Sequence, residues 1–226
     1  MEGFLFDRKF VMKKLKAIVL GATGATGQEL VKLLLKDSNY SKVIIFVRKK
    51  PDIKHHKLIS YEIDFSRLTE YKDLIHGDVI FSALGTTLSQ AGSKSQQYIV
   101  DFNYQYEFAK MGSENKVIHY SLVSSIGANI NSFFFYPKTK GALEEAVKKL
   151  GFDNIYIFQP PFLIRQSNLK RPGEKKALKI LKLLNKIGIL KSLKPISVLD
   201  LAQKMINEIK SDKTVGLKTF KPRDIF

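Results

Sequence analysis

The stretch AIVLGATGATGQELVKLLL, residues 17–35, limits the folds open to this chain more than any other. A short apolar run with Ile18 and Val19 reads as a strand. Glycines at 21, 24 and 27 follow it at once, and the Leu and Val spacing after them reads as a helix. A glycine turn between a strand and a helix is the form of a dinucleotide-binding loop. Gly21 permits the tight turn, Gly24 lets the backbone approach a pyrophosphate with no Cβ in the way, and Gly27 lets the helix pack close to the strand. Thr23, Ala25 and Thr26 complete a loop whose N–H groups and helix dipole favour phosphate.

The same rhythm continues downstream. Strands are expected at 42–47, 58–63, 78–83, 116–123 and 154–159, each near-continuously apolar, as in strands covered on both faces. Helices are expected at 24–36, 96–113 and 136–150, the last stopping at Gly151. The alternation predicts an α/β fold, a three-layer Rossmann-type doubly wound parallel sheet with a small C-terminal substrate lobe. A length of 226 residues suits one domain. Residues 1–15 read as an N-terminal extension, with a second methionine, Met12, just before the first strand. Residues 16–160 read as the nucleotide-binding core, and 161–226 as a lobe continuous with it. The rhythm breaks after Pro160 and Pro161, and one further helix is expected at 198–210.

Composition removes several classes of function. The chain has no cysteine, which excludes disulfides, thiolate metal sites and cysteine nucleophiles. His55, His56, His76 and His119 show no ligand spacing, so no metal is expected. No apolar run approaches the roughly 20 residues of a membrane span, and nothing at the start reads as a leader. A cytoplasmic location is the expectation. The net charge of +17 comes mainly from lysines scattered along the chain, with six arginines, and does not mark a nucleic-acid partner. The basic segment 175–194 alternates lysine with Leu and Ile in a helical rhythm. It reads either as a surface for a membrane or an acidic partner, or as a helix whose apolar face closes over the substrate pocket or packs in the small lobe while its lysines are solvated, and we favour the second.

The end of the second strand selects the cofactor. A carboxylate there would bind the ribose hydroxyls of NAD, but the sequence reads VRKK, with Arg48, Lys49 and Lys50. Cations at that point suit a 2′-phosphate, so NADP (NADPH) is expected in preference to NAD, with Arg48 as first ligand and Lys49 beside it.

The glycine run, VRK, YEIDF around Asp64, SALGTT, LVSSIGA, YPKTK and RPGE occur in that order. Together they resemble the short-chain dehydrogenase/reductases, and more closely the atypical branch with the NmrA-like and Tat-interacting-protein-like oxidoreductases. The resemblance spans residues 16–174. It implies that Asp64 contacts the adenine edge, that Ala83, Leu84, Gly85 and Thr86 line the ribose and pyrophosphate path, and that Pro160 lies by the nicotinamide. It implies a catalytic tyrosine and lysine at Tyr136 and Lys140, with Lys140 also holding the nicotinamide ribose. Four residues apart on a helix, the two share a face, and a nearby ammonium stabilises a phenolate. Ser124 or Ser125 would hold the substrate carbonyl oxygen, and we favour Ser125. Asn103 matches a relay residue of some members, or is a capping or packing residue. Pro161 departs from the family pattern, in which a glycine offers an N–H. The function so implied is an NADPH-dependent oxidoreductase reducing a carbonyl-like small molecule at a Ser-Tyr-Lys site. The alternative is an NAD(P)H-binding redox-sensing regulator or interaction protein without turnover.

Overall fold

The computed structural model describes residues 13–166, 169, 194–211 and 216–225. Residues 1–12 of the expected extension, the RPGE stretch and all but the last residue of the basic segment 175–194 lie outside the described residues.

Seven strands form one sheet in which every pairing is parallel. They are β1 (Leu15–Leu20), β2 (Tyr40–Val47), β3 (Leu58–Glu62), β4 (Val79–Ser82), β5 (His119–Val123), β6 (Asn154–Phe158) and β9 (Gly216–Phe220). The order β3-β2-β1-β4-β5-β6-β9 reverses direction between β1 and β4, as in a doubly wound sheet. A second parallel pair, β7 (Leu163–Ile164) with β8 (Ile196–Ser197), lies outside it.

Two apolar layers sandwich the sheet. On one face α1 (Ala25–Lys36) and α6 (Val198–Ser211) pack on Val19, Ile45, Phe81 and Phe158. On the other, α4 (Tyr104–Glu114) and α5 (Phe135–Val147) cover Ile18, Ile80, Leu122 and Ile157. Residues Ala17–Leu20 are fully buried, and each large aliphatic side chain there stabilises the fold by about 1.5–3 kcal/mol. The expected first strand is thus the centre of the core.

Three features depart from the sequence reading. The helix expected at 96–113 is broken. Short helices α2 (Leu88–Ala91) and α3 (Lys94–Tyr98) lead into a π turn, Ile99–Asn103, and only then α4. The extra residue of a π turn leaves no change in apolar spacing strong enough to read from the sequence. The 3-10 segment Phe65–Leu74 fills the crossover between β3 and β4. Strand β9 was not foreseen: GLKTF is exposed along nearly its whole length, because it forms the sheet edge beyond β6. The fold ends in α7 (Pro222–Ile225).

Candidate functional site

The glycine loop joins β1 to α1. Gly21 has φ +82°, a conformation that favours glycine, and a Cβ there would stand 2.5 Å from the Leu84 nitrogen. A Cβ on Gly27 would stand 2.0 Å from the Gly21 carbonyl oxygen. The fold itself therefore demands both glycines. Gly24 is different: its Cβ would meet only the Gly21 oxygen at 3.3 Å and the Ala83 oxygen at 3.9 Å. The space it leaves open faces the start of α1. No side chain caps α1 and no acidic residue stands in its first turn. The first intrahelical bond runs from the Gln28 N–H to the Gly24 carbonyl, leaving the N–H groups of residues 25–27 ahead of it. Open N–H groups, a positive dipole end and a cradle without a Cβ fit a pyrophosphate. Thr23 is exposed and Thr26 is buried in the loop.

Arg48 follows β2 and connects two clefts. It lines one with Thr23 and Lys49. It also lines a cleft of about 630 Å³ with Glu62, Ile63, Asp64, Phe65, Gln96, Val100 and Tyr104. A nucleoside at the end of β2 would thus have Arg48 on one side and the aromatic and carboxylate wall on the other. Asp64 caps the 3-10 segment, accepting from the Ser66 hydroxyl at 2.7 Å and its N–H at 2.9 Å. These bonds hold its carboxyl below the usual carboxylate range. Glu62, which sequence reasoning missed, stands at the end of β3 opposite Val47 and accepts from the Lys50 N–H. The parallel register brings it to the cleft.

The loop after β4 is fastened from beneath. Thr86 N–H donates to Asp101 Oδ1 at 2.8 Å, Gln97 Nε2 donates to Oδ2 at 3.1 Å, and Ser82 Oγ donates to Gln105 Oε1 at 2.9 Å. Asp101, Gln105 and Ser82 are fully buried. The π turn is what carries Asp101 inward to this position. Ala83 meets Gly21 through its backbone, Leu84 is half-buried, and Gly85 is exposed beside Asp101. No motif pointed to Asp101, because its role depends on a helix irregularity.

The ends of β5 and β6 form the other half of the crevice. Helix α5 places Tyr136, Lys140 and Glu144 on one face at successive intervals of four. Pro137 stands in its first turn, where a missing N–H costs no helical bond. Tyr136 is 39% exposed and Lys140 is 3% exposed. Lys140 Nζ donates to the carbonyl of Val123, the last residue of β5, at 3.4 Å. The two serines that follow differ. Ser124 is buried and donates to Glu144 Oε1 in a short hydrogen bond, whereas Ser125 is half-exposed and its hydroxyl donates to the Ile126 carbonyl at 3.3 Å. Gln159 Nε2 donates to both Glu144 oxygens at 3.0 Å. Pro160 and Pro161 are buried, and the Pro160 carbonyl accepts from the Ile126 N–H. Asn103 is exposed at the end of the π turn. Among the described residues no group of His, Asp or Glu could hold a metal ion, and no helix is long and apolar enough to cross a membrane.

Residues 21–175 match the family described as NAD(P)H-binding. Protein HTATIP2 of Rattus norvegicus is 34% identical over 169 residues, covering 73% of this chain and 69% of that protein. Protein FMP52-1, mitochondrial, of Scheffersomyces stipitis is 34% identical over 184 residues, covering 79% and 77%. Among solved structures, the Bordetella bronchiseptica enzyme WbmH in complex with NAD+ aligns with TM-score 0.68 at 14% identity, covering 92% of this chain and 75% of that one. At that identity the likeness shows the fold. The cytoplasmic expectation is corrected by these relatives, since several FMP52 proteins carry the word mitochondrial in their names. Absence of cysteine indicates a chain that does without disulfides and does not distinguish between compartments.

Proposed function

The chain belongs to the NAD(P)H-binding family, with an atypical short-chain dehydrogenase/reductase-like fold, and on that premise we propose that it is an NADPH-dependent oxidoreductase reducing a carbonyl-like small molecule. The observation that carries this reading is the face of α5. It sets a half-exposed Tyr136 one turn from a buried Lys140, at the end of β5 where Ser125 is also accessible.

When bound, the nicotinamide supplies hydride to the substrate carbon. The residues of the chain handle the oxygen. Ser125 donates a hydrogen bond to the carbonyl oxygen as negative charge builds on it. Tyr136 gives that oxygen its proton, and the product is an alcohol. The Lys140 ammonium, fixed by the Val123 carbonyl, lowers the cost of the phenolate left behind. The bond of Ser124 to Glu144 supports Ser125 rather than Ser124 in the substrate role. At the other end, Arg48 pairs with the 2′-phosphate and Lys49 adds charge beside it, while Asp64 meets the adenine edge. Gly24, Ala25, Thr26 and the 83–86 loop hold the pyrophosphate. The names of the fungal relatives support a mitochondrial location for this protein too.

A panel of aldehydes, ketones and quinones, followed by nicotinamide absorbance with NADPH, tests the reaction. The expected result is turnover by the wild type that falls at least about 100-fold in Tyr136→Phe, the scale of a lost general acid. NADPH binding with no turnover on the whole panel would make the protein a redox-sensing regulator instead.

A further inference from the structure

The cluster at the end of β6 has a use that neither the fold nor the acid–base face explains. Glu144 is 5% exposed, yet among the described residues its carboxylate is met by two neutral groups, the Ser124 hydroxyl and the Gln159 amide. Burying a carboxylate among neutral donors is costly, and an apolar residue would pack α5 against β5 and β6 with less loss. What the carboxylate adds is direction. It only accepts hydrogen bonds, so the Gln159 amide must turn its NH₂ toward Glu144 and its carbonyl oxygen away. That Oε1 accepts from no group among the described residues.

Its position says what it awaits. In a doubly wound sheet the dinucleotide crosses the switch point, here between β1 and β4, and its second nucleotide lies over the ends of the second half of the sheet. Gln159 directly follows β6 in that half. The next two residues are prolines without N–H groups, so hydrogen bonding from the chain at this point relies on acceptors. A nicotinamide carboxamide carries two N–H donors. We infer that Gln159 is a cofactor-binding residue whose Oε1 accepts from the nicotinamide carboxamide, and that Glu144 is the positioning residue that fixes the amide for it. This rests on the reading that NADP binds the crevice. It makes α5 a helix with one tuned face, where Tyr136 and Lys140 serve the substrate and Glu144 serves the cofactor.

The test is calorimetric titration of wild type, Gln159→Leu and Glu144→Gln with three ligands. They are NADP, its acetylpyridine analogue, in which a methyl group replaces the carboxamide NH₂, and 2′-phospho-ADP-ribose, which lacks the nicotinamide. Wild type is expected to bind NADP about fivefold to tenfold more tightly than the analogue, the scale of one hydrogen bond. Gln159→Leu should lose that preference, and Glu144→Gln, which frees the amide to flip, should lose about half of it. All three proteins should bind 2′-phospho-ADP-ribose alike. Thermal unfolding followed by circular dichroism identifies any variant that does not fold, and Glu144→Gln, nearly isosteric, then carries the test. A wild type without preference, or variants weakened equally for all three ligands, would overturn the inference while leaving the cofactor assignment intact. A wild type that binds none of the three would overturn the cofactor assignment and the inference with it.

Discussion

At the scale of single residues, the site depends on buried polar groups that hold exposed ones. Asp101 is fully buried and takes the Thr86 N–H and the Gln97 amide on its two oxygens. Asp101→Ala leaves both donors without an acceptor, at a cost of about 2–4 kcal/mol. Urea unfolding should show this as a lower midpoint with an unchanged slope. A shift below about 0.5 kcal/mol would mean that the loop after β4 does not depend on the network. These residues also mark what the sequence could and could not convey. The shared face of Tyr136 and Lys140 was legible because helical spacing alone creates it. Ser124 and Ser125 were indistinguishable in sequence, since only the packing of α5 brings Glu144 to the first and leaves the second accessible. Glu62, Asp101, Glu144 and Gln159 were silent for the same reason: each acquires its role from strand register or helix packing, across distances that no local motif records.

At the scale of elements, the glycine loop divides its work between folding and binding. A Cβ on Gly27 would overlap the Gly21 carbonyl, so Gly27→Ala should cost about 3 kcal/mol or more, read as a fall in thermal midpoint. Gly24→Ala meets only a 3.3 Å contact and should fold with a change under about 1 kcal/mol. It should nevertheless weaken NADPH binding by more than tenfold, because its methyl group fills the cradle. Equal stability losses in the two variants would refute this division.

The joint between α1 and α6 carries a pH signature. Burial opposes the charge on Asp37, but the Lys210 ammonium and the Asn39 N–H groups outweigh it and hold the carboxyl below its usual range. A lowered carboxyl pKa stabilises the folded state above the ordinary aspartate range. That stability is lost as pH falls through the depressed folded value. Lys210→Met should therefore lower stability by about 0.5 kcal/mol at neutral pH, as expected for a partly exposed pair, and the difference should vanish in acid. A difference that persists at low pH would assign the effect to the lysine stem rather than to the ion pair. Strand β9 is the element the sequence concealed, because an exposed edge strand has no apolar alternation to reveal it. The five inner strands were legible because burial on both faces forces continuous apolar runs, and the other edge strand, β3, is half-buried and still largely apolar.

At the scale of the whole molecule, the strand order of the parallel sheet reverses between β1 and β4, and most of the candidate groups follow the carboxyl ends of its strands. The phosphate cradle and Arg48 lie toward the first half, and α5 with the ends of β5 and β6 toward the second. The net charge of +17 adds a general attraction for an anionic dinucleotide, but it is the placing of Arg48 between two clefts that would distinguish a 2′-phosphate from a hydroxyl. Titration calorimetry of wild type and Arg48→Ala with NADPH and NADH tests this most directly. The predicted result is an NADPH affinity at least about tenfold above that for NADH in the wild type, with most of the difference removed by Arg48→Ala, as expected for loss of a charge-assisted phosphate contact. Equal affinities in the wild type, or a preference that survives the substitution, would contradict it.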